Sequence, residues 1–111
     1  MAVDLLPLVN SKFAEAVQTT QYTATDCITI IDKFTATNVD TVDGTITIHI
    51  VPSGGSVLAS NMIIKAREIA PGETYTMPEL TGQTLNNGDL ISIIASAANA
   101  IVIRISGREI T

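Results

Sequence analysis

Reactive side chains are scarce in this sequence. It holds one histidine, His49, and one cysteine, Cys27, among 111 residues. A catalytic triad or a zinc site needs several such groups at matched spacing, so no catalytic residue, metal ligand or cofactor site is assigned, and the chain is read as a non-enzyme. A single cysteine forms no internal disulfide. The flanks Asp26-Cys27-Ile28-Thr29-Ile30 read as a strand start, where Cys27 serves as a small buried hydrophobe. His49 reads as an exposed or edge histidine.

Other shortages narrow the function further. There is no tryptophan and there are two tyrosines and two phenylalanines, too few for the aromatic platforms on which sugars stack. Lys and Arg number six, scattered, in a chain of net charge −5, which excludes nucleic acid, because phosphate binding needs clustered cations. Charged residues make up 15% of the chain, against roughly 25% in ordinary soluble domains. The surface is therefore rich in Thr, Ser and Asn, or covered by a partner. The apolar start, Met1 to Val9, is interrupted by Asp4 and Pro7 and has no basic lead. It reads as neither a membrane span nor a signal peptide, so the chain is expected to be made in a cytoplasm.

What fills the chain is short runs of Ile, Val and Thr between turn signals. The length is that of one domain. Seven strands are expected: Thr19 to Thr23, Cys27 to Asn38, Thr45 to Val51, Met62 to Ile69, Thr74 to Met77, Leu90 to Ala97 and Ala100 to Ser106. Asp43-Gly44, Pro71-Gly72 and Asn87-Gly88 mark turns between them. In the second strand Ile28, Ile30, Phe34 and Ala36 are expected on one face, with Ile31 marking a bulge or two-sided burial. The connections are too short for crossover helices. The fold expected is all-β: a single antiparallel β-sandwich of about seven to eight strands over residues 19–111, with Gly107 to Thr111 as a tail.

Residues 1–18 differ in character and read as an N-terminal arm, extended or short-helical. Leu5, Leu6, Leu8 and Val9 are apolar, and Asn10 or Ser11 caps an expected short helix from Lys12 to Val17. The arm either folds back on its own sandwich or reaches into a neighbour. Val3, Leu5, Leu6, Leu8 and Phe13 are the candidate partner-binding residues, with Ile110 near the other end as a second contact. Deleting residues 1–9 is expected to leave a folded domain.

Several strings carry a resemblance: Phe34-Thr35-Ala36-Thr37-Asn38, Ile48-His49-Ile50-Val51-Pro52-Ser53-Gly54-Gly55, Ile69-Ala70-Pro71-Gly72-Glu73-Thr74, Leu85-Asn86-Asn87-Gly88-Asp89 and Ser106-Gly107-Arg108-Glu109-Ile110. Together they resemble small tailed-phage virion proteins with a β-sandwich fold, of the capsid staple or cement (decoration) kind. The resemblance implies a jelly-roll-like protein on the outer surface of an icosahedral head. It implies homodimers that bind the major capsid protein and bridge its subunits to stabilise the shell. Related sandwiches in phage tails and fibres imply an alternative, a module binding another tail protein or a host glycan.

Overall fold

A computed structural model describes all residues, 1–111. The alternating and apolar runs become nine strands: β1 (Val3–Phe13), β2 (Thr19–Thr23), β3 (Ile28–Asn38), β4 (Gly44–Val51), β5 (Met62–Ile69), β6 (Thr74–Tyr75), β7 (Thr84–Leu85), β8 (Leu90–Ala95) and β9 (Ile101–Ile110). One 3-10 turn, Ala59–Asn61, precedes β5.

The strands form two antiparallel sheets. The first has the order β1-β9-β3-β6, with β7 also paired to β3; the second has the order β2-β8-β4-β5. The short β6 and β7 share one edge, so each sheet has four strand positions. The chain passes from one sheet to the other at every connection except β4 to β5 and β6 to β7. That is the jelly roll, a double-sheet sandwich built from two Greek keys.

The core lies between the sheets and is mainly isoleucine. Ile31, Ile46, Ile48, Ile69, Ile91, Ile93, Ile101, Ile103 and Ile105 are buried, with Phe34, Met77, Leu80 and Leu85 among them. β-branched side chains stand stiffly on a pleated surface, which suits facing sheets. The buried polar side chains Thr29, Asn38, His49 and Ser92 all have hydrogen-bond partners. Asn38 does most: its Nδ2 donates to the carbonyls of Val42 (2.9 Å) and Ile69 (2.8 Å), and its Oδ1 accepts from the Asp40 N–H (2.8 Å). It thereby ties the β3–β4 loop to the end of β5.

The expected helix from Lys12 to Val17 does not form. Lys12 and Phe13 end β1, and Ala14 is buried, its N–H donating to the Ile101 carbonyl. The Glu15 carbonyl accepts the Ala95 N–H. One or two helical turns hold their own bonds poorly in water, so pairing with both sheets wins. The segment read as an arm is thus the edge strand of the first sheet. Gly107 to Thr111 is likewise no tail, because β9 runs through to Ile110.

Parity along β3 also departs from expectation. A bulge between Ile31 and Lys33 inserts Asp32 opposite β9. A one-residue insertion reverses the side to which residues before it point. Thr29 and Ile31 therefore face the core with Phe34 and Ala36, and Ile28 and Ile30 point outward.

Candidate interaction surface

β1 pairs only with β9, so its other edge is open. Ala2 and Thr111 exchange both backbone hydrogen bonds, at 3.1 and 3.0 Å. Antiparallel pairs alternate between bonded and non-bonded, which makes Asp4 opposite Glu109 and Leu6 opposite Gly107 the bonded pairs. Val3 and Leu5 consequently direct their N–H and C=O groups to the open edge. Pro7 falls on the same side, so its missing N–H removes no ladder bond.

The side chains of these residues define the outer face of the first sheet. Val3 of β1, Ile110 of β9 and Ile28 of β3 lie opposite one another in one row across three strands. The next row is Leu5, Arg108 and Ile30. Val3 is 53% exposed, Leu5 77% and Ile28 45%. The Arg108 guanidinium is held flat in this row by Asp32, which accepts from its Nε (3.0 and 3.2 Å) and from a terminal nitrogen (2.9 Å). An apolar patch therefore runs from the open edge of β1 to β3.

Three of the six residues singled out in the sequence meet here: Val3, Leu5 and Ile110. The others do not join them. Leu6 shares its side with Gly107 and turns toward the interior. Leu8 is the extra residue of a bulge between Pro7 and Val9 and packs against the core. Phe13 is exposed and opposite Val102, but at the far end of β1, roughly 30 Å away at about 3.3 Å per residue. Ile28 and Ile30 were missed, because the bulge at Asp32 hides their direction from a simple alternation.

For scale, the largest apolar patch on a typical monomer is on the order of 300 Å². Covering it contributes about 7 kcal/mol at roughly 25 cal/mol per Å². Immobilising a partner costs about 4–15 kcal/mol. The patch alone therefore supports weak association, which repeated sites strengthen through avidity.

The buried polar side chains are held in structural roles. His49 is 4% exposed, not at the surface, and its Nδ1 donates to Asn61 Oδ1 at 2.8 Å. That oxygen also accepts the Leu58 N–H, while Asn61 Nδ2 donates to the Ser56 carbonyl. His49 thus anchors the β4–β5 excursion. Cys27 is buried beside the Thr29 hydroxyl. Tyr22 of β2 donates to Glu109 of β9 and touches the Thr29 hydroxyl of β3, linking the two sheets at one end. Burial, followed by the Glu109 carboxylate, raises the Tyr22 pKa above its usual value. No three His, Cys, Asp or Glu side chains gather closely enough to hold a metal ion. One open depression beside the β3 bulge is lined by Asp32, Lys33, Thr76, Pro78 and Thr81.

No protein-family model and no curated protein sequence matches the chain. Two solved structures share its fold. A chain of the disulfide-linked pili formed by Bacillus endospore appendages is 19% identical, with a TM-score of 0.57, over 99% of this chain and 87% of that one. A chain of infectious bursal disease virus, Gx strain, is 14% identical, with a TM-score of 0.53, over 97% of this chain and 30% of that one. This chain thus spans under a third of the viral chain. At such identities the likeness establishes a shared jelly-roll sandwich.

Proposed function

We propose that this chain is a structural virion protein that decorates the outer surface of a phage head, in the manner of the capsid staple protein of the short-tailed Salmonella phage epsilon-fifteen. It binds assembled major capsid protein, pairs as a homodimer and clamps neighbouring subunits. The observation that carries this reading is the exposed apolar patch continuous with the open edge of β1, on a sandwich whose polar interior groups are all engaged structurally. Such a surface favours a partner over a small-molecule substrate. Both fold neighbours come from large assemblies, a pilus and a virus, which supports a structural role.

Stabilisation follows from linkage. A protein that binds only the assembled lattice shifts the equilibrium toward that lattice, and many weak contacts add. Disulfide linkage is not part of this mechanism. A head-to-tail chain of disulfides needs two cysteines per subunit, whereas Cys27 stands alone and buried. Gel densitometry of particles carrying this chain tests the proposal. Hundreds of copies per particle support it; a handful confined to one vertex overturns it in favour of a tail or fibre module.

A further inference from the structure

Charge on this molecule is distributed unevenly. The outward side chains of β1, β9 and β3 include Lys33, Arg104 and Arg108 but only one carboxylate, Asp32. That face is net +2. The rest of the molecule holds the other three cations and ten carboxylates, a net −7. Arg108 is already paired with Asp32. Lys33 makes no ion pair, and Arg104 has only a long contact with Asn10 at 3.4 Å. Two cations are thus left for an outside partner, beside the Val3, Leu5, Ile28, Ile30 and Ile110 patch.

We propose that the outer face of the first sheet docks onto an acidic protein surface whose carboxylates flank apolar side chains. The inference deepens the capsid reading and rests on it: the acidic surface belongs to the shell. A chain of net −5 is repelled by such a surface in most orientations. The face carrying Lys33 and Arg104, net +2, meets it with opposite charge, so the field favours that orientation and speeds encounter. The apolar rows then dock once the charges have aligned them. The second sheet is left facing away from the shell.

Lys33→Glu and Lys65→Glu form a matched pair that tests this. Both lysines are exposed and free of ion pairs, and Lys65 lies on β5 in the other sheet. Each purified variant is rebound to particles stripped of the chain, at low and high salt, after melting curves confirm that both fold. K33E is expected to bind about tenfold more weakly at low salt, a difference that shrinks as salt rises, with K65E close to wild type. Equal binding by wild type, K33E and K65E overturns the face assignment and leaves the capsid reading standing. Failure of the wild type to rebind overturns both. Loss of self-association in K33E with particle binding intact overturns the acidic-shell partner in favour of a second copy of this chain.

Discussion

Replacing Gly107 with alanine puts the packing of the first sheet to a direct test. Gly107 lies in β9 between two bulges, Pro7/Val9 in β1 on one side and Ile31/Lys33 in β3 on the other. A Cβ built on it would lie 2.2 Å from the Ile30 carbonyl oxygen and 2.8 Å from Leu8 Cδ1. The Leu8 atom is the end of a flexible side chain, but the Ile30 oxygen is backbone. Relief requires β3 and β9 to separate by close to an ångström at the centre of a sheet. Overpacking of this kind costs about 1–3 kcal/mol. At roughly 4–8 °C per kcal/mol for a domain near this size, the melting temperature falls by at least about 4 °C. Circular dichroism melting of G107A reads this, with Ser106→Ala, one residue away and outward-facing, as control. An unchanged melting temperature for G107A refutes the argument that paired bulges force glycine at this position.

Two further outcomes follow from the polar interior. Tyr22 has a raised pKa in the folded state, so above pH ~10 the unfolded chain loses that proton while the folded chain keeps it. Stability present below that pH is lost as pH rises towards the folded pKa, by an amount that solvent screening reduces at this partly exposed group, and Tyr22→Phe flattens that alkaline loss in urea titrations at stepped pH. Asn38→Ala removes the donor to the buried Ile69 carbonyl and the acceptor for Asp40; it should lower stability by about 1–3 kcal/mol, read as a lower urea midpoint at unchanged slope.

Much of the sandwich was legible where side-chain alternation was regular. β4 alternates Ile46, Ile48 and Ile50 with Thr45, Thr47 and His49, and its expected extent differs from the structure by one residue. β5 and the start of β9 were equally plain, while β8, apolar on both faces, ends at Ala95 where Ala97 was expected. Side-chain direction, though not strand extent, was lost where a single insertion breaks period two: β2 was read as Thr19 to Thr23 despite its bulge. Asp32 in β3 and Leu8 in β1 are single insertions that reverse a face, and alternation counted from one end does not reveal them. Gly107 reads as a strand end, yet marks a close approach inside β9. His49 sits on the polar side of β4 as expected, but Asn61 covers it, and that contact belongs to a loop twelve residues on.

The candidate site was half legible for the same reasons. Val3, Leu5 and Ile110 stood out as apolar residues near the chain ends, whereas their meeting depends on the β1–β9 pairing. That pairing also changes the meaning of a truncation. Removing residues 1–9 takes away most of an edge strand, including Val9 of the core, and uncovers the side of β9. Loss of binding after such a deletion would reflect a damaged sheet, so Leu5→Glu, which alters an exposed side chain only, is the cleaner variant.

On the proposed function, this jelly roll holds a shell through the outer face of its first sheet. An electron cryo-microscopy map of a particle carrying the chain, at a resolution that separates strands, tests it most directly. The account predicts many copies on the shell, with Val3, Leu5, Ile28, Lys33 and Arg104 against capsid subunits and the β2-β8-β4-β5 sheet facing solvent. A map with the second sheet against the shell, or with the chain absent from the shell altogether, contradicts it.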